Sequence, residues 1–177
     1  DERVLFSPVK EWVSEWQAWP YFYALLTTRA NSTPDYNGQS LALDWWYVSN
    51  PSGGFYCLVF NMTSRTENPI YLQMEVDYRD YKAATYRLVY KVKVTEGHWK
   101  ERYKEVRQSA FNLINEKAKK HVDINFNRAS FRGRGQHMKI AEVDIRDWFC
   151  SPEEVADLDK TVSCVRRHMD FIMEAVQ

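Results

Sequence analysis

Two stretches, Ile70 to Asp77 and Tyr86 to Val94, alternate between apolar and mostly polar side chains, with Val89 the apolar exception on the polar side. That period of two commits this part of the chain to half-buried β-strands. In the first stretch Ile70, Leu72, Met74 and Val76 face one way, and Tyr71, Gln73, Glu75 and Asp77 the other. In the second, Tyr86, Leu88, Tyr90 and Val92 oppose Arg87, Val89, Lys91 and Lys93. Two strand-like runs precede them, Leu41 to Ser49 and Phe55 to Met62. Asn50-Pro51-Ser52-Gly53-Gly54 separates those two, and Thr63 to Pro69 is the next turn. Links this short favour an antiparallel meander.

Helical periodicity flanks the meander. Ser7-Pro8 is expected to cap and open a first helix, with Val9, Trp12, Val13 and Trp16 on its apolar side. Pro20 is expected to interrupt it, leaving Tyr21 to Leu26 as a second short segment, and Arg29 to Gln39 reads as a loop. A long helix is expected over about Gly97 to Lys120, burying Trp99, Tyr103, Val106, Ala110, Leu113 and Ile114. His121 to Phe126 reads as a strand, Asn127 to Gly135 as a basic loop, and Gln136 to Ile145 as a further strand. Ser151-Pro152-Glu153-Glu154 has capping-box spacing and opens the final helix. Val155, Leu158, Val162, Val165, Met169 and Ile172 form its seam. The expected fold is α+β: a mostly antiparallel, mixed sheet of about six strands packed by three main helices. It forms a single domain over 1–177, with a helical segment and loop at 1–40, a β-meander at 41–94 and an αββα unit at 95–177.

Composition supplies the core and removes some function classes. Hydrophobic residues make up 45% and aromatics 15%, enough to bury a core. The 24 basic and 24 acidic side chains cancel, so the overall charge does not itself point to nucleic acid, although local basic patches are allowed. No apolar stretch is long enough to span a bilayer, so no membrane partner is expected. Cys57, Cys150 and Cys164 lack CxxC spacing and fit reduced thiols in a cytoplasmic chain. The N-x-[ST] tripeptides at Asn31 and Asn61 are read as coincidences.

The search for chemistry leaves few candidates. No serine lies in a nucleophile elbow, and His98, His121, His137 and His168 have no metal-ligand spacing. Gly133-Arg134-Gly135 follows no strand-to-helix pattern, which excludes dinucleotide and Walker loops. Asp44, Glu75, Asp77 and Lys91 are the candidates for a metal-dependent nuclease, which needs carboxylates for Mg²⁺ and a lysine to activate water. The other account of these residues is a cross-strand salt bridge, with Lys91 approaching Glu75. Arg128, Arg132, Arg134, His137 and Lys139 lie in or beside the basic loop, interleaved with Phe126 and Phe131. Guanidinium groups beside aromatics suit phosphate contact and base stacking, and a solvated loop is the alternative. Trp45, Trp46 and Tyr47 place aromatics on both faces of their strand, for the core or for a partner.

The run Asp44-Trp45-Trp46-Tyr47, then Ile70-Tyr71-Leu72-Gln73-Met74-Glu75, then Leu88-Val89-Tyr90-Lys91-Val92 resembles a pattern in one group of bacterial and phage PD-(D/E)XK nuclease-superfamily proteins. There the strands lie in the C-terminal half, after the nuclease core. Gly135-Gln136-His137-Met138-Lys139-Ile140-Ala141 is similar to a later strand of that group, with Lys139 where the pattern has Thr. Leu158-Asp159-Lys160-Thr161-Val162 is similar to its last helix start. The resemblance spans about Leu41 to Glu174, but the catalytic acid and E-x-K strand have no counterpart. It implies an accessory domain, a stand-alone relative without the catalytic half, or a degenerate nuclease fold.

The expected function is therefore a non-catalytic domain of phage defence or restriction that binds nucleic acid or a protein through the basic loop. The sheet face of Gln73, Glu75 and Lys91 is a second candidate surface. No cofactor is expected, with Mg²⁺ required only by the nuclease alternative. A third possibility is an immunity- or antitoxin-like module that recognises protein.

Overall fold

The computed structural model describes residues 1–31, 42–48, 55–61, 69–76, 86–94, 99–121, 124, 126–131, 135–149 and 151–176. Four strands run in sequence: β1 (Ala42–Val48), β2 (Phe55–Asn61), β3 (Ile70–Val76) and β4 (Tyr86–Lys93). A fifth long strand, β6 (His137–Asp144), follows the two-residue β5 (Asn127–Arg128). The sheet order is β1-β2-β3-β4-β6-β5, and every pairing is antiparallel. The expected α+β class is thus what the chain adopts: a sheet of five full strands, with β5 as a short sixth at one edge.

The alternation read from the sequence decides the two faces. Leu72, Met74, Leu88, Tyr90 and Val92 are buried in the main core, beneath the helices. Gln73, Glu75, Arg87 and Lys91 take the opposite face, because side chains two apart share a side. In β6 the pairing shifts by one residue at Tyr90/Lys91. This bulge sends both Ile140 and Ala141 into the core and keeps Lys139 and Glu142 together on the polar face.

Three long helices, α3 (Ala18–Asn31), α4 (Trp99–Ala118) and α6 (Leu158–Val176), supply most of the covering layer. The one-turn helices α1 (Arg3–Phe6), α2 (Val9–Trp12) and α5 (Arg146–Phe149) fill in around them. Trp12, Trp19, Phe22 and Phe149 are fully buried and meet edge to face or tilted, with centroids 5.1–5.9 Å apart. Trp19 also donates its indole N–H to the Val13 carbonyl at 2.9 Å, which satisfies its buried polar atom.

Several local expectations are corrected. Pro20 does not break a helix. It is the third residue of α3, where backbone amides have no intrahelical acceptor and a missing N–H does no harm. Arg29 belongs to α3 rather than a loop, and residues 32–41 lie outside the described residues. Ser7 does not cap α2, since its hydroxyl donates to the Arg3 carbonyl. The amides of Val9 and Lys10 donate instead to the carbonyls of Glu154 and Pro152 at 2.9 and 3.0 Å.

That exchange explains why α6 starts late. A helix opening at Pro152 would need those same carbonyls for its own bonds. Half of the expected box forms, with the Ser151 amide donating to Glu154 Oε2 at 3.1 Å. The working cap is Asp157, whose carboxylate accepts the Lys160 amide at 2.9 Å. Val155 therefore precedes the helix and is 42% exposed, while Thr161, Val165, His168, Met169 and Ile172 form the buried seam. In α4, Leu113 is exposed and Arg107 is buried in the stripe, and the side chain of Trp99 lies outside the described residues. The described residues of the 121–126 segment, His121, Ile124 and Phe126, form no strand. Ile124 instead closes a turn on the His121 carbonyl. No helix of the described residues is long and apolar enough to cross a membrane. Cys57 is buried and Cys164 half-buried, neither in a disulfide, and Cys150 lies outside the described residues.

Candidate functional site

The antiparallel register builds the polar face row by row. Asp44, Val59, Gln73, Val89 and Glu142 form one row, and Cys57, Glu75 and Arg87 the next. On the other side of the Gln73 row, Tyr71, Lys91 and Lys139 form a third. Lys93 then pairs with His137 at the end of the sheet.

Glu75 is the anchor. It is 5% exposed, and burying a carboxylate is tolerable only with strong donors nearby. Arg87 reaches its Oε2 through Nε at 3.1 Å and Nη2 at 3.0 Å. Lys139 Nζ donates to the same oxygen at 3.1 Å, and Gln73 Nε2 donates to Oε1 at 2.9 Å. Arg87 also lies 3.7 Å from Glu142.

Lys91 does not pair with Glu75 as expected. The register puts Arg87 opposite Glu75 and Lys91 opposite Tyr71. Lys91 Nζ donates to the neutral Gln73 Oε1 at 3.1 Å and lies 5.9 Å from the Tyr71 ring centre. Burial lowers its pKa and the neighbouring Lys139 ammonium lowers it further, while Glu75 acts the other way. Among the described residues neither Lys91 nor Lys93 has a carboxylate within ion-pair distance.

Tyr71 and His137 complete this end of the face. The Tyr71 hydroxyl lies 2.9 Å from His137 Nδ1, with the rings edge to face at 5.8 Å. Burial holds the Tyr71 phenol above its ordinary pKa, and Cys57 and Glu75 add to the effect. His137 is exposed, and its pKa lies below the ordinary histidine value. Partial burial is the first cause, and the charges of Lys91 and Lys93 are the next.

The basic-loop candidates divide. His137 and Lys139 lie on this polar face. Arg128 pairs with Ala141, a core-facing residue, and so sits on the helix side. There its guanidinium lies 4.3 Å from the Phe131 ring centre and 5.1 Å from that of Phe111, and it donates to Gln108 Oε1 at 2.8 Å. Arg107 approaches Phe131 at 4.7 Å and donates to the Lys139 carbonyl at 2.7 Å. Arg132 and Arg134 lie outside the described residues.

Of the nuclease candidates, Asp44 occupies β1 across two strand pairings from Gln73, its side chain and the whole of Asp77 lying outside the described residues. The described residues contain no group of three His, Cys, Asp or Glu arranged to hold a metal ion. Three participants escaped the sequence: Arg87, Tyr71 and Lys93. Alternation had already placed them on the right face, but only the register of β3 against β4 reveals which ones meet.

Fold and site together define a small α+β domain with one sheet face given to packing and one to a cation-rich polar cluster. Comparison with protein-family models, curated proteins and solved structures found no match.

Proposed function

We propose that this chain is a non-catalytic nucleic-acid-binding domain whose contact surface is the Lys91–Lys93–His137–Lys139 end of the sheet. One observation carries the proposal: Lys91 and Lys93 lack carboxylate partners among the described residues, and their charge is felt at His137. A local excess of positive charge held on a rigid sheet attracts phosphate even when the whole chain is neutral. Glu75 supports a holding role rather than a cutting one, because both of its oxygens are engaged by Gln73, Arg87 and Lys139. The setting we propose, phage defence or restriction beside a PD-(D/E)XK-type partner in a bacterial cytoplasm, rests on the strand motifs alone.

The test is fluorescence anisotropy with a labelled oligonucleotide over a range of salt. The parent chain binds at low salt and weakens as salt rises. Replacing Lys91 and Lys93 with Ala flattens the logarithmic salt slope by about 2, roughly one unit per phosphate contact. An absence of binding by the parent at low salt, or an unchanged slope in the double variant, overturns the proposal.

A further inference from the structure

We infer that the cationic end of the sheet takes single-stranded nucleic acid, with a base stacked on the exposed His137 ring and the adjoining phosphates held by Lys91, Lys93 and Lys139. The inference rests on the nucleic-acid proposal above and narrows it to one state of the strand.

Phosphate contacts alone do not separate a single strand from a duplex, since both carry them. An accessible ring among the cations does, because a duplex hides the faces of its bases. His137 is such a ring: it is exposed, pairs in register with Lys93, and shares its face of β6 with Lys139. The patch spans three strands, β3, β4 and β6, and is therefore roughly 10 Å across at ordinary strand spacing. The helical layer lies against the other face of the sheet, so no described helix stands here to enter a major groove.

Tyr71 is the positioning residue. Its hydroxyl lies 2.9 Å from Nδ1, and with the phenol as donor that nitrogen accepts and Nε2 carries the imidazole proton. One tautomer and one ring plane follow, set at 76° to the phenol. The charges of Lys91 and Lys93 around it favour the neutral imidazole, so the ring offers a flat face rather than another cation. No described carboxylate lies within ion-pair distance of His137.

The experiment compares one labelled strand, free and annealed to its complement, by anisotropy at fixed low salt. The parent is expected to bind the single strand at least about five-fold more tightly than the duplex, the lower end of what one stacked base contributes. His137→Ala abolishes that preference, whereas His137→Phe, which keeps a stacking face, retains it. Tyr71→Phe removes a donor that stabilises the neutral ring, so the His137 midpoint in an NMR titration rises. Equal affinity of the parent for strand and duplex overturns the inference and leaves nucleic-acid binding standing. Binding to neither overturns both. A preference that survives His137→Ala overturns the stacking role, and an unmoved His137 midpoint in Tyr71→Phe overturns the positioning role.

Discussion

The two faces of the sheet are made by the same strands but are held together by different physics. On the helix side, Leu72, Met74, Leu88, Tyr90 and the Trp12–Trp19–Phe22–Phe149 cluster gain stability by leaving water. On the other side, Gln73, Glu75, Arg87, Lys91 and Lys139 form a chain of directed polar contacts. An apolar face tolerates exchange of one large side chain for a similar one. A charged network does not, since each partner removed leaves another unsatisfied. A chain needing only stability would have used Val or Ile at these strand positions, as it does at Val59 and Val89. The retained polar network is therefore where a function is expected.

The contrast can be broken at its strongest point first. Trp19→Ala on the packed face is expected to cost about 3–5 kcal/mol, by loss of burial and creation of a cavity. Denaturant unfolding reads this directly, and a cost below that of a surface change would show that the aromatic cluster is not central. Glu75→Ala on the polar face is expected to cost less, about 1–3 kcal/mol, because Arg87 and Lys139 remain about one-third exposed and can rehydrate. A cost equal to that of Trp19→Ala would make the polar face a second structural core. Asp157→Ala removes the cap of α6 and is expected to cost about 1 kcal/mol, measurable as a lower midpoint with an unchanged denaturant slope.

The smallest effect is the pH response of His137. Its folded pKa lies below the ordinary value of 6.5, so the unfolded chain holds more protons in the window between the two. Stability therefore rises with pH through that window and falls on acidification below about pH 6.5. His137→Gln removes this part of the dependence, and equilibrium unfolding at several pH values checks it. Bound phosphate favours the protonated ring, so acidification through the same window tightens oligonucleotide binding by the parent chain.

Much of this architecture was legible in the sequence, and the failures share a cause. Alternation in Ile70–Val76 and Tyr86–Lys93 placed both faces correctly, because period two depends only on the local backbone. Pro20 misled because its cost depends on its position in a helix, and it falls in the first turn of α3, which begins at Ala18. Ser151–Glu154 misled because the carbonyls that a helix needs there are taken by α2, far away in sequence. The β6 bulge hid the fact that Lys139 and Glu142 share a face.

The candidate site was legible in part for the same reason. Gln73, Glu75 and Lys91 could be assigned to one surface, but not paired, since a register is a relation between two strands. Proximity in sequence likewise grouped Arg128 with His137 and Lys139. The sheet separates them onto opposite sides, and only tertiary structure could show that.

The central claim is that cations on the polar face are held ready for phosphate, with Glu75 restraining two of them. Titrating a labelled single strand into the parent and into Glu75→Gln, with folding verified by circular dichroism, tests it most directly. Release of Arg87 and Lys139 should make the variant bind more tightly than the parent at low salt, even though it is less stable. Equal or weaker binding by a folded variant would contradict the account.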